Sequence, residues 1–381
     1  MGVERDSSSS SMPAGAFFPA TCHPRVSRRQ LLAGAGALLA GSVGGRGVGQ
    51  AASDDGRRII HEYSTVPEDP WAVAHGIRAM GRDFAIKGGR RAVDYLLENV
   101  LISVPANGKS ALAFEPNVEG HSNAILKTFL EAGVPQEHAF THHGSRRTVR
   151  DVVEGARALF RPHLVISVPN ALPWSLIAFT RTTSPLRRQW TNAWGESVEL
   201  DAVVESALQL LERASLPIGQ AMRENRPEAA KAPVHSFTCG GTHMLYALLT
   251  AVHAGYVGRD RAERVRRQVD LLVWRLSADI ELIERFYKER AGGNVALWYE
   301  IDTKLKFLGH AEECLAFGVR RGVVTLTPAQ QARRRAAVSR VRHMLDDLER
   351  RNLDEAKAID RELFRQLIGD TCHARHGLTL V

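Results

Sequence analysis

Residues 235–249 read HSFTCGGTHMLYALL, which sets His235, Cys239 and His243 four residues apart. On a continuous helix that i, i+4, i+8 spacing would put one thiolate and two imidazoles on a single face, a donor set suited to zinc. Gly240 and Gly241 argue against a continuous helix there, and Thr242 reads as the N-cap of the helix that follows. On this second reading His235 lies in the approach loop, Cys239 sits near a helix N-terminus, and only His243 is helical. A thiol so placed can have a lowered pKa and some reactivity. A buried, inert cysteine accounts for the same residue without chemistry.

His243 is one of a set. Histidines head several apolar segments: His75 in HGIRAM, His121 in HSNAIL, His243 in HMLYAL and His310 in HAEECLAF, with His373 or His376 of CHARHGL as a further member. If these segments are neighbouring helices whose starts converge, the positive end of each helix dipole disfavours imidazolium and keeps the rings neutral near pH 7. Neutral imidazole can ligate a metal or act as a general base. The expected catalytic residues are His121 and His243 as base, with His310 and Glu313. Glu313 lies three residues after His310, on the same helix face, where it can hold the second ring nitrogen or serve as a ligand. The expected metal ligands are His75, His121, His243 and Cys239, for a transition metal such as zinc. Glu119, Glu300 and Asp302 are candidates to approach the same mouth. Trp174, with the segment WTNAWG, supplies aromatic surface of the kind sugars stack on. Each residue also has a plain use: a histidine can cap a turn or bond a neighbouring helix, the acids can form ion pairs, and the tryptophans can pack.

The elements that must position these residues are helical almost throughout from Trp71 onward. Residues 52–68 are polar and loop-like, and LVISV at 164–168, cut short by Pro169, is the best strand candidate. An internal repeat organises the rest. GGRRAVDYLL from Gly88 aligns with GSRRTVRDVV from Gly144, and GESVELDAVV from Gly195 repeats the plan of glycine, polar turn and Val-rich amphipathic helix. Each follows a shorter, more apolar segment, such as WSLIAF from Trp174. A helix apolar all round must be buried, whereas an amphipathic one can form an outer layer. The expectation is therefore an all-α single domain over residues 69–381, an α/α toroid of about six helical hairpins. An open α-helical solenoid is the alternative, with polar capping repeats at its ends.

In this pattern the chain resembles the α/α-toroid class shared by terpene cyclases, protein prenyltransferase β-subunits, lanthionine cyclases and several polysaccharide-degrading enzymes. CGGTHMLYAL, PWSLIAF and GHAEECLAF look more narrowly like segments of uncharacterised exported bacterial helical proteins. The Asp-rich acid motif and Gln-Trp repeats of the terpene cyclases are missing, as is the Cys-His-Gly zinc element of the lanthionine cyclases. LDDL at 345–348 sits in an amphipathic segment instead. The resemblance thus implies architecture and leaves those activities disfavoured. By fold-level analogy alone, the expected function is hydrolysis or lyase chemistry on an envelope or extracellular polymer, with a non-enzymatic envelope binding or scaffold protein as the alternative.

Composition fits this. Of the 381 residues 44% are hydrophobic and 24% charged, enough for a large core. Ser27, Arg28, Arg29, Leu31 and Leu32 look like a twin-arginine export signal, although Leu31 stands where many such signals have Phe and the preceding leader is long. The run from Leu31 is too short, too rich in glycine and too soon broken by Arg46 to span a membrane. Cleavage after Ala51 suits the small-residue rule, making residues 1–51 the signal and 52–68 a linker. A basic tail without a targeting role is the alternative. The resemblance implies the twin-arginine machinery as a partner and a periplasmic or secreted location. Residues 1–51 hold five Arg against two acids, so the formal charge falls from +8 to about +5 without them. The remaining Arg excess, as in QQARRRAAVSRVRHMLDDLERR, reads as a solvated helix face rather than a nucleic-acid surface. Cys239, Cys314 and Cys372 remain, an odd number that allows at most one internal disulfide.

Overall fold

A computed structural model describes residues 55–166, 170–256, 258–289 and 293–380. The expected export signal, with Ser27, Arg28, Arg29, Leu31, Leu32 and Ala51, lies outside the described residues. In chain order the elements are α1 (Arg57–Tyr63), α2 (Pro70–Met80), α3 (Ala92–Asn99), the hairpin β1 (Leu101–Ala106) and β2 (Lys109–Phe114), α4 (Pro116–Glu119) and α5 (Ala124–Glu131). The hairpin β3 (Ala139–His142) and β4 (Ser145–Thr148) leads to α6 (Val149–Leu159), α7 (Pro162–Ile166) and α8 (Leu172–Thr182). The hairpin β5 (Gln189–Thr191) and β6 (Ser197–Glu199) precedes α9 (Leu200–Arg223). Then follow α10 (Thr242–His253), α11 (Arg259–Glu289), α12 (Gly293–Arg320), α13 (Pro328–Arg350), α14 (Leu353–Ile359) and α15 (Arg361–Thr379). The protein is mainly helical, and its described strands pair only as these three antiparallel hairpins.

Two kinds of helix are present, as their sequences require. Every residue of α8 from Leu172 to Thr180 is buried, and so is every residue of α10 from Thr242 to Ala251. In α13 only Ala337, Val341, Leu345 and Leu348 are. The buried helices contact one another in sequence: α2 packs on α5, α5 on α8, α8 on α10, α10 on α12, α12 on α15, and α15 on α2. The amphipathic helices lie outside them, α3 on α2, α6 on α8, α9 on α10, and α11 and α13 on α12. Local signals fix the ends. Asp69 accepts from the N–H of Ala72 just before Pro70, and Asp360 accepts from those of Glu362 and Leu363 at the start of α15. Thr327 and Gln330 form a capping box at α13.

Three local expectations need correcting. Arg57–Tyr63 is helical within the stretch read as loop, because Ile59 and Ile60 are buried against the core. Residues 164–166 of LVISV belong to α7, and 167–169 lie outside the described residues. The hairpins were missed although Asn107-Gly108 and His143-Gly144, all at positive φ, are two-residue turns of the kind that match strand twist. They give the internal repeat a structural meaning. Ala85 bridges Arg91 across the turn containing Gly88 and Gly89, β3 pairs with β4 across Gly144, and β5 with β6 around Gly195. Each repeated glycine is thus the turn of a β connection leading from a buried helix to an outer one.

The contact of α12 with α15 is close because glycine faces it from both sides. A Cβ on Gly309 would lie 3.0 Å from that of Ala374, and one on Gly377 would lie 2.6 Å from the backbone nitrogen of Glu313. Backbone cannot retreat as a flexible side chain can. Gly377→Ala is therefore expected to destabilise the protein by about 1–3 kcal/mol as an overpacking change, read as a lower denaturant midpoint. An unchanged midpoint would mean that the two helices are not so tightly apposed.

Candidate functional site

Where the buried helices face one another, their polar side chains form two tiers. The upper tier is aromatic and runs as a chain of ring contacts. His75 meets His373 at 5.3 Å between centroids, His373 meets His310 at 4.0 Å, and His310 meets His243 at 4.5 Å. His243 meets Trp174 at 4.9 Å, and Trp174 stacks on His121 at 4.0 Å. The sequence-expected His75, His121, His243 and His310 thus come together with His373. They do not all stand at helix starts. His75, His310 and His373 are mid-helix, His121 lies in the loop before α5, and only His243 occupies a first turn.

The dipole therefore does not explain their neutrality, and burial does. Desolvation pushes His75, His310 and His373 down to about 3, with the neighbouring imidazoles adding to it for His75 and His373. It also takes His243 well below the ordinary histidine value, helped by His310 and His373. Half-buried His121 is lowered by burial as well.

One helical turn further along lies the lower tier. His75, His243, His310 and His373 are each followed three residues on by Arg78, Tyr246, Glu313 and His376, and Lys127 is followed four residues on by Glu131. Arg78 bonds Glu131 and places Nε 2.6 Å from Glu313 Oε1. Lys127 Nζ lies 2.9 Å from Glu131, and Arg181 of α8 is 3.7 Å from the same carboxylate. Glu313 also accepts from His376 Nδ1 at 2.7 Å and from His373 Nδ1 at 2.9 Å. Arg78 lies over the Tyr246 ring. The Arg78, Lys127, Glu131 and Glu313 side chains are no more than 3% exposed. Burial opposes ionisation of Glu313, but Arg78 and the two imidazole N–H donors hold it well below the ordinary carboxylate range. Burial likewise opposes ionisation of Glu131, yet Arg78 and Lys127 bring it to about 2. Burial and Arg78 together lower Lys127.

The opening motif forms no continuous helix: Cys239 lies just before the helix that carries His243, as the second reading expects, but Thr242 is not its cap. Cys239, Gly240 and Gly241 have φ of 51°, 64° and 82°, three successive left-handed residues. Gly241 is the N-cap, Thr242 is the first residue of α10, and its hydroxyl donates to the Cys239 carbonyl at 2.9 Å rather than capping the helix. Arg275 holds the turn from behind, donating from Nη1 to the Gly240 carbonyl at 2.7 Å and from Nε to Asp279 at 2.8 Å. A Cβ on Gly240 would meet Arg275 Nη2 at 2.8 Å. His235 donates from Nε2 to the same Asp279 at 3.2 Å and serves this support rather than the tier. The helical face is not formed, yet the turn still carries Cys239 to His243 and His310, and the ligand atoms of these three lie within 4.8 Å of one another. His310, Glu313 and His373 form a second such group, while His75 and His121 are in neither. Cys239, Cys314 and Cys372 are in no disulfide, and burial raises the Cys314 and Cys372 thiols.

The remaining candidates go elsewhere. Glu119 caps α5, accepting from the backbone N–H groups of Ile125, Asn123 and Ala124, with burial raising its carboxyl to about 8 against them. Glu300 pairs with Lys304. Asp302 bonds Lys306 and approaches Asp370, whose Oδ1 accepts from His310 Nε2 at 3.1 Å. Trp190 and Trp194 of WTNAWG sit on the β5–β6 hairpin, Trp190 bonded to the Arg157 carbonyl and Trp194 under Arg161. Arg78, Lys127, Glu131, Tyr246 and Asp370 were not foreseen, and for Arg78 and Tyr246 their place three residues after a histidine was the available signal. The chain matches no protein-family model, no curated protein and no solved structure. Among the described residues no helix is long and apolar enough to cross a membrane.

Removing the guanidinium of Arg78 would leave two buried carboxylates short of their main counter-ion. Arg78→Ala is expected to cost about 3–5 kcal/mol, measured by denaturant unfolding, and a loss near zero would contradict the charged tier. The histidines set a pH dependence of definite sign. Their pKa values are lower folded than unfolded, so the unfolded chain binds the extra protons. Their contribution is full above the unfolded value near 6.5 and is lost as pH falls toward about 3. The denaturant midpoint should accordingly drop steadily over that window, and a flat midpoint would refute the buried neutral imidazoles.

Proposed function

We propose that this is an exported α/α-toroid protein whose histidine tier is the working site of a hydrolase or lyase acting on an envelope or extracellular polymer. The toroid reading is supported by the cycle of contacts among α2, α5, α8, α10, α12 and α15, since an open solenoid would separate its first and last repeats. Export rests on the twin-arginine pattern at Ser27–Leu32.

The observation that carries the catalytic reading is one chain of ring contacts that joins the candidate bases His121 and His243 to three neutral imidazoles whose second nitrogens are already anchored. His75 donates to the Trp71 carbonyl, His310 to Asp370 and His373 to Glu313. Imidazoles held in one tautomer and kept unprotonated present their lone pairs at neutral pH, and burial leaves them weak bases until a bound charge stabilises the imidazolium. His121 and Cys239 are less buried than His243, so the approach is from their side, with Trp174 stacked behind His121. The ion-paired lower tier closes the other side. A polymer would then present an end or a side group rather than thread through.

The second reading is a non-enzymatic binding protein, favoured by the mutual contact of His243, His310 and His373, which leaves ring-to-ring packing where a substrate might enter. Mass analysis of envelope glycan and acidic polysaccharide incubated with the protein separates the two, because hydrolysis adds water and elimination leaves an unsaturated end. The enzymatic reading expects product from the parent protein and at least a hundredfold less from His121→Ala and His243→Ala, with melting temperature nearly unchanged. Variants that melt early but retain specific activity would assign these histidines to packing.

A further inference from the structure

We propose that the upper tier binds a transition-metal ion through Cys239 Sγ, His243 and His310 Nδ1, with Asp370 and Glu313 as outer anchors rather than ligands. This deepens the reading of the tier as the working site without depending on which reaction runs there. Four observations lead to it. The three residues come from a turn, the first turn of α10 and the middle of α12, and one ligand atom of each lies within 4.8 Å of the others. Cys239 is a non-glycine residue in the left-handed region, held there by the Thr242 and Arg275 bonds to its turn, so its position is enforced against a local cost. His310, only 4% exposed, gives Nε2–H to Asp370, and its Nδ1 is buried with no hydrogen-bond partner. A lone pair buried in this way is costly unless something occupies it. His243, only 6% exposed, meets the His310 ring at 4.5 Å between centroids, so its imidazole and that of His310 share one buried place beside Cys239.

The second group, His310, Glu313 and His373, is the weaker set on bonding grounds. Glu313 Oε1 already accepts from Arg78 and His376, and Oε2 accepts from His373, the residue that would have to be its fellow ligand. A metal bound there through His373 Nδ1 would break the pair that orients both. Left in place, that pair makes His373 a carboxylate-anchored imidazole beside the ion, with its Nε2 lone pair unprotonated, in the same way that Asp370 anchors His310. One thiolate and two imidazoles favour zinc, and cobalt(II) reports the same geometry by colour.

The experiment titrates the chelator-treated full chain, purified without a His-tag, with Co²⁺ alone and then displaces it with Zn²⁺. The expected result is one equivalent bound, the intense visible bands of a tetrahedral ion and a thiolate-to-cobalt charge-transfer band in the near ultraviolet. Cys239→Ser should abolish the charge-transfer band, whereas Cys314→Ser should keep it. Asp370→Asn should weaken binding about 10–100-fold. Failure of the parent protein to bind one equivalent, or binding with no thiolate band, overturns the assignment, and neither result depends on a variant folding. A band that survives Cys239→Ser overturns it as well. Cleavage of polymer by a protein that binds no equivalent of cobalt would sink the metal assignment alone, and stoichiometric binding without cleavage would sink only the enzymatic reading.

Discussion

The Glu313 carboxylate ties three buried helices together. It receives the Arg78 guanidinium from α2 and the His373 and His376 N–H groups from α15, while sitting on α12 itself. Because these donors keep it ionised in a desolvated place, it can only accept. Both histidines must therefore donate from Nδ1, which leaves the lone pair of His373 on Nε2, toward the tier of rings. The tautomer of an upper-tier imidazole is thus decided by charge in the lower tier. Such a carboxylate adds little net stability when fully paired, and its loss is felt mainly through the partners it would strand.

That interaction needs a short separation between α12 and α15, and glycine provides it. Gly377 lies against the backbone at Glu313, and Gly309 lies against Ala374. On the other flank of α15, Gly369 faces Trp71, whose carbonyl accepts from His75. Small residues at three levels of one helix thereby bring Asp370, His373 and His376 within bonding distance of their partners. The other half of the site is positioned by a different device, the left-handed turn at Cys239–Gly241, which carries the thiol to the rings from outside the helix.

The sequence made the helical class and the convergent histidines readable for one reason: burial imposes a pattern. Helices buried on every side are apolar almost throughout, so a histidine inside one is conspicuous, and His75, His121, His243 and His310 stood out by contrast. Arg78 and Lys127 escaped notice because a cation in a helix ordinarily faces water: Lys127 and Glu131, four residues apart, read as a surface pair, and nothing near Arg78 says that Glu131 and Glu313 lie on the helices packed beside it. Asp370 was hidden in the same way, its partner His310 being 60 residues distant. Thr242 was misread as a cap because the glycine before it already takes that place. The three hairpins were hidden by the dominance of helical periodicity, even with Asn107-Gly108 in view.

The spread of the site along the chain has a consequence for how it comes into being. Arg78 reaches Glu313 across 235 residues, and Ser64 meets Cys372 across 308. During synthesis the Arg78 guanidinium can meet Glu131 once α5 is made, 53 residues on, but its second carboxylate, Glu313, arrives only with α12, and the imidazoles that share Glu313 only with α15. Contacts of such separation close slowly, because the intervening chain must be ordered first. A metal cannot nucleate this fold as it does in small zinc domains, since its nearest donors, Cys239 and His243, lie on one side of a gap that His310 bridges only after α11 has formed. The interior cannot be complete until the end of the chain has docked, and exposure of His75 on α2 would report whether α15, which carries His373, has arrived.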